Sequence, residues 1–165
     1  MAERLVLLRG DLTALGVDAI VNAANSALAR GGGVCGAIFA AAGPGLGEAC
    51  DALGGCATGD AKATPGFALP ARWIIHAVGP VWEGGAHGEP RALASAYTRS
   101  LAVADELGAR SVAFPAISTG IYGYPLEAAT DVAVAAAEGA DTRVDVVRFV
   151  CFDAPTLAAY ERRLG

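Results

Sequence analysis

No apolar run in this 165-residue chain approaches the roughly 18 residues a membrane-spanning helix needs. Nor does a signal-peptide layout precede the strand-like "RLVLLRG" near the N-terminus, so neither a membrane partner nor export is expected. Polar low-complexity tracts are missing, and the chain should be ordered throughout. The four cysteines, Cys35, Cys50, Cys56 and Cys151, contain no CxxC pair and have no histidine at metal-ligand spacing. They read as ordinary thiols of a reducing cytoplasm, with no structural metal. GxxxxGK[ST] is absent, which excludes a P-loop nucleotidase. Charge is modest, at 18% of residues and −5 net, which argues against a nucleic-acid partner bound along its phosphates. It leaves open a small anion held by backbone amides, which add nothing to net charge.

What is present alternates. "RLVLLRG", "VDAIVNA", "RWIIHAVG", "RSVAFPAI" and "DVVRFVCF" are short, nearly continuous apolar runs, as expected of strands buried on both faces. Between them lie helical patterns: "GVCGAIFAAAG" leading into "GLGEACDALGG", then "EPRALASAYTRSLAVADELG" with Leu93, Ala96, Tyr97 and Leu101 on one stripe. "PLEAATDVAVAAAEG" opens with Pro125 suited to a first helical turn and closes at Gly139, and "APTLAAYERRLG" ends the chain. With no linker or repeat, this is one α/β domain with a mostly parallel sheet covered on both faces. Ligands of such sheets sit beyond the carboxyl ends of the strands, which directs attention to residues 22–36 and 115–125.

Both segments are rich in glycine. "RGGGVCG" precedes a helix, whose N-terminus leaves backbone N–H groups unpaired and carries partial positive charge. Three glycines inside a helix would each cost about 1 kcal/mol relative to alanine, so they mark a special backbone shape. "PAISTGIYGYP" follows a strand and adds Gly120, Gly123 and the Ser118 and Thr119 hydroxyls. Two such loops point to a ligand with two linked phosphates. Gly31, Gly33 and Gly36 do satisfy G-x-G-x-x-G, but "NSALAR" separates them from the preceding strand, and Asp51 falls in a helical stretch. A nicotinamide-type site does not fit that context.

Together "GDLTALGVDAIVNAANSAL", "GGGVCGAIFAAAG", "IIHAVGPVW" and "AFPAISTGIYGYP", in this order and over nearly the whole chain, resemble the macrodomain, the ADP-ribose-binding module, in its MacroD-like class. The resemblance implies a three-layer α/β/α sandwich with a central mixed, mostly parallel sheet, and a single macrodomain over residues 1–165. It implies a cytoplasmic monomer without cofactor, whose partners are ADP-ribose or mono-ADP-ribosylated proteins. The diphosphate would lie between the two glycine loops.

The resemblance also carries residue roles. Asp11, with Leu12 beside it, matches the residue that reads the adenine amine; it also suits a helix N-cap. Phe152 matches the aromatic on the adenine face, the competing reading being a strand-end core phenylalanine. Asn25 matches the amide that holds the distal ribose, and Asn22 is expected to fix the turn through a side-chain-to-backbone bond. Gly33, Val34, Cys35 and Gly36 belong to the first phosphate loop. Ser118, Thr119, Gly120, Ile121 and Tyr122 would wrap the diphosphate with backbone amides, the alternative being a purely structural turn. His76 reads as a hydrogen-bonded core residue rather than an acid–base group, and His87 as a loop residue.

Cys35 stands where the MacroD-like pattern carries aspartate, and Phe39 where it carries histidine. An ordinary thiol, with a pKa of about 8.5, is mostly protonated at pH 7 and is no substitute for a carboxylate base. With Asn25 and Cys35 as the catalytic candidates, the implied activity is a mono-ADP-ribosyl hydrolase. It would act on acidic side chains of proteins or deacetylate O-acetyl-ADP-ribose, with a substrate diphosphate oxygen orienting the attacking water. The alternative is a reader that binds ADP-ribose without turnover.

Overall fold

Consecutive strand residues point to opposite faces of a sheet, so a continuous apolar run requires cover on both sides. The computed structural model describes residues 4–165, so the first three positions of the expected 1–165 domain lie outside it. Among these residues six strands form one sheet: β1 (Leu5–Arg9), β2 (Ala19–Ala24), β3 (Ala61–Pro65), β4 (Trp73–Val78), β5 (Ser111–Phe114) and β6 (Val146–Cys151). Their order is β1-β6-β5-β2-β4-β3, with every neighbouring pair parallel except β3 with β4.

The two faces take alternate residues of the same strands. Val21, Ile75, Phe114 and Phe149 are buried under α3 (Glu89–Leu107), α4 (Leu126–Gly139) and α5 (Ala154–Leu164). Ile20, Ile74, Ala113 and Val150 are buried under α1 (Gly33–Ala42) and α2 (Gly45–Leu53), together with Ile38 and Leu46. Each fully buried Ile, Leu or Phe contributes about 1.5–3 kcal/mol, so neither layer is dispensable. This is the expected α/β/α sandwich. The stripe of Leu93, Ala96, Tyr97 and Leu101 is buried as its spacing requires.

Two details differ from the sequence reading. Strand β3, "AKATP", has no apolar run to announce it; it is an edge strand, where a lysine and a terminal proline are tolerated. Pro125 does not open the first turn of α4 but stands just outside it as the N-cap, with extended backbone (ψ 130°).

His76 is buried in β4 and takes part in hydrogen bonds through both ring nitrogens, as the core reading expects. Burial lowers its pKa to about 4. The unfolded chain binds a proton at this histidine near pH 6.5 while the native state does not, so its contribution to stability is complete above that pH. It declines as pH falls and is exhausted near pH 4. Between pH 6.5 and 4.5, urea denaturation should therefore show about 2–3 kcal/mol of stability lost. The same series on His76→Gln should lose much less over that window, the remainder coming from carboxylates such as Glu89 as pH nears 4.5.

Candidate functional site

Because five of the six strands run parallel, β1, β2, β4, β5 and β6 all deliver their carboxyl ends to one edge of the sheet. A cavity of about 620 Å³ opens there. Gly10 to Thr13 after β1 and Phe152, Asp153 and Thr156 after β6 line one end. Asn25 and Gly31 to Cys35, beyond β2, line the other, and residues 115–122 after β5 form the span between them. From β1 to β2 is three strand spacings of about 4.8 Å, so the cavity extends about 14 Å along the sheet edge. No lysine, arginine or histidine lines it among the described residues. Any anion it takes must be met by main-chain N–H groups and neutral side-chain donors such as the Ser118 and Thr119 hydroxyls.

The two loops supply them. Gly33 opens α1 with φ +59°, a left-handed conformation suited to glycine, and the helix has no side-chain cap bond at this end. In the second loop the N–H groups of Ser118, Gly120, Ile121 and Tyr122 meet no acceptor among the described residues. The loop's own closure uses other groups: Gly123 N–H donates to Gly120 O (3.0 Å), and Tyr124 N–H donates to Ser118 O (2.9 Å). Ser118 has φ +69°, is 5% exposed, and its Oγ has no partner among the described residues. From beneath, the buried Tyr97 hydroxyl accepts from Ile117 N–H at 3.3 Å and lies 3.4 Å from Pro115 O. The loop is held through Ile117 N–H and its own closing bonds, while amides between them are left without an acceptor.

The polar ends differ. Asp11 caps the short 3-10 helix Leu12–Ala14, its Oδ1 accepting from Thr13 N–H (2.9 Å) and Thr13 Oγ1 (2.7 Å), while the exposed carboxylate remains on the cavity wall. Capping and ligand contact are thus compatible. Leu12 is buried behind it. Phe152 is 87% exposed, which overturns the core alternative for this ring and leaves its face open at the cavity rim. Asp153 caps α5 by accepting from Thr156 N–H at 3.0 Å; bonds from Thr156 hold its pKa below the usual carboxylate value.

At the opposite end the turn-fixing role expected of Asn22 falls to Asn25. Asn22 does not fix a turn. It lies within β2 directly opposite His76 of β4, and its Nδ2 is 3.0 Å from His76 Nδ1 and 3.7 Å from Cys35 Sγ. Asn25 closes the turn instead: its Oδ1 accepts from Ala29 N–H and its Nδ2 donates to Ala29 O, both at 2.9 Å. It still lines the cavity. Cys35, 5% exposed, donates from Sγ to the same Ala29 carbonyl at 3.7 Å. Behind it the network continues through His76 Nε2 to Thr64 Oγ1 (3.0 Å) and Cys50 Sγ (3.8 Å). With Asn22 Nδ2 as donor, Nδ1 of His76 accepts and Nε2 carries the proton. Burial, with smaller contributions from Cys35 and Asp51, pushes the Cys50 thiol up to about 11.

One expected site residue is placed elsewhere. Gly36 is not on the cavity wall; a Cβ there would lie 2.6 Å from the Gly31 carbonyl oxygen, so its lack of side chain lets the first loop fold back against α1. Phe39, where the MacroD-like pattern carries histidine, is buried in the core on the inner side of α1. Conversely, Gly79 and Thr156 line the cavity although neither stood out in sequence. Gly79 directly follows a predicted strand and Thr156 lies three residues past a capping aspartate, the available signals for both.

The family model described as Macro domain matches residues 21–133. A Macro domain-containing protein of Ralstonia nicotianae is 56% identical over 158 residues, covering 96% of this chain and 92% of that protein. An O-acetyl-ADP-ribose deacetylase of Salmonella typhimurium is 50% identical over 171 residues, covering 99% and 96%. Among solved structures, the Oceanobacillus iheyensis macrodomain with ADP superposes with a TM-score of 0.90 at 37% identity, covering 96% of this chain and 88% of that one. The Trypanosoma brucei macrodomain in complex with ADP-ribose gives 0.91 at 42%, covering 98% and 69%.

Gly79 is the most constrained glycine of the second loop's surroundings. A Cβ there would stand 2.2 Å from Ser118 Oγ and 2.5 Å from Ile117 Cγ2. Gly79→Ala is expected to displace that loop and lower the unfolding free energy by about 1–3 kcal/mol, the scale of an overpacked core. Chemical denaturation of the variant against wild type measures it.

Proposed function

The chain belongs to the Macro domain family, and from that membership and the cavity's chemistry we propose that it binds ADP-ribose and hydrolyses an ester of it, with O-acetyl-ADP-ribose as the first candidate. The observation that carries this reading is a cation-free cavity, about 14 Å along the sheet edge, whose middle is bordered by unpaired main-chain N–H groups. A diphosphate fits that span, because amides from two loops can share its charge without a lysine or arginine. Adenine goes to the end where Asp11 accepts its amine and the exposed Phe152 ring stacks. The distal ribose then reaches Asn25 and Cys35.

In the proposed reaction water adds to the acetyl carbonyl, the ester C–O bond breaks, and acetate and ADP-ribose leave. A mono-ADP-ribosyl ester on a protein carboxylate is the related second substrate. Cys35 is a poor general base here, since its Sγ–H is engaged with Ala29 O. In this reading it stiffens the 25–35 loop, a diphosphate oxygen of the substrate orients the water, and alignment supplies most of the rate. The same thiol bond favours a second reading, a reader that holds ADP-ribose without turning it over.

Two measurements test these readings. Calorimetry should find ADP-ribose binding that Asp11→Ala weakens by about 1.5–3 kcal/mol, the scale of a hydrogen bond to a charged group. Unchanged affinity would remove Asp11 from the adenine end. Incubation with O-acetyl-ADP-ribose should release acetate above the protein-free rate, whereas binding without release leaves the reader. Cys35→Asp should then raise turnover, because a positioned general base is typically worth about 10²–10⁴-fold. No gain would mean that the thiol's position is not where a base acts.

A further inference from the structure

Helix α3 begins with a buried carboxylate in an otherwise exposed stretch. Glu89 is 2% exposed, whereas residues 83, 84, 86, 87 and 88 before it are exposed. Its Oε2 accepts from Glu83 N–H (2.8 Å) and Gly85 N–H (2.9 Å), and its Oε1 from His87 N–H (2.7 Å). No cation pairs with it among the described residues. Burial works against the charge, but the surrounding amides prevail and hold the carboxyl at a pKa of about 2. The segment 83–87 is therefore wrapped around one anion.

That segment abuts the second glycine loop. A Cβ on Gly85 would lie 2.8 Å from the Trp82 ring, so the indole rests on the backbone that Glu89 holds. The same ring packs against Tyr124 with centroids 4.6 Å apart. Trp82 N–H donates to Tyr122 O at 2.8 Å, and Tyr124 N–H donates to Ser118 O. Residues Ser118 to Tyr122 are thus clasped from outside by Trp82, which is itself set by the carboxylate. Glu89 does not line the cavity.

We infer that Glu89 is a positioning residue for ligand binding: by gathering the amides of residues 83, 85 and 87 it fixes Trp82, and through Trp82 the loop Ser118–Tyr122, in the conformation that receives the diphosphate. The inference rests on the ADP-ribose reading. A glutamine has the same shape, but its Nε2 cannot accept, so N–H donors would face an N–H donor. The loop would then be binding-competent only part of the time, and apparent affinity falls by that fraction. A loop correctly placed one tenth of the time binds about tenfold more weakly.

The test is Glu89→Gln, read by ADP-ribose calorimetry well below the melting temperature and by amide hydrogen exchange without ligand. A role confined to global stability leaves the affinity of the folded protein unchanged. We expect about a tenfold rise in Kd, with faster exchange at 83–87 and 118–124 but not at 10–13, the far end of the cavity. Affinity within twofold of wild type overturns the inference, whatever the exchange at 83–87. So does a rise in Kd accompanied by faster exchange at 10–13, which is general loosening. Should Glu89→Gln not fold, Gly85→Ala perturbs the same link one step downstream, and the same outcomes apply. If wild type itself takes up no ADP-ribose, the functional reading fails. Exchange at 118–124 in the variant then still decides whether Glu89 holds the loop.

Discussion

Main-chain N–H groups without an acceptor, on residues that line a cavity with no cation in its wall, are the constraint on which this structure turns. A desolvated amide without an acceptor costs about 1–3 kcal/mol, so a chain does not leave several of them together unless water or an anion completes them. Holding them open also requires that nothing nearby swing in to satisfy them. The surrounding sequence serves that end. Gly33 and Gly79 give the backbone room, Tyr97 takes Ile117 N–H from below, and Trp82 donates to the Tyr122 carbonyl from outside. The Ser118, Gly120 and Tyr122 carbonyls and the Ile117 N–H are satisfied, and amides of the same loop are left without an acceptor.

The two faces of the sheet divide the work. The α3, α4 and α5 face is almost wholly apolar and carries the rigid support of the second loop. The α1 and α2 face holds the buried polar run Cys35, Asn22, His76, Thr64 and Cys50. Low His76 and high Cys50 pKa values keep both uncharged near neutral pH, so this run positions groups by hydrogen bonds rather than by charge. Cys35 is the end of that run that reaches the cavity, and with Asn25 it converges on Ala29 O. Replacing it alters the 25–35 loop as well as its chemistry.

The layers were legible because they follow from periodicity. Five continuous apolar runs became five parallel strands, and the α3 stripe is buried as spaced. The glycine loops were legible because strand ends and helix starts bracket them. Strand β3 was not, since pairing at an edge comes from β4 rather than from its own residues. The division of labour between Asn22 and Asn25 was hidden for a related reason. Asn22 is assigned by what lies opposite it, His76 in β4, and register between strands distant in sequence is not written in either one. Gly36 and Glu89 share this character. The first is fixed by the Gly31 carbonyl and the second by three amides that precede it, contacts that exist only once the loops have closed. Family resemblance put Gly36 in the phosphate loop rather than behind it, and gave Glu89 no role.

What remains exposed at the rim completes the physical picture. Phe152 is 87% exposed and Ile121 92%, one after β6 and the other on the second loop. A Cβ on Gly32 would come within 4.0 Å of Ile121 Cδ1, so the two glycine loops nearly meet over the cavity there. Fully burying a side chain of this size yields about 1.5–3 kcal/mol, a gain open to these two only if something enters beneath them. The middle of the cavity is thus set in advance by bonds from behind, while its apolar edges are left to close on the occupant. In the proposed complex the amides would select the diphosphate, and the rim would reward a ligand long enough to lie under both side chains at once.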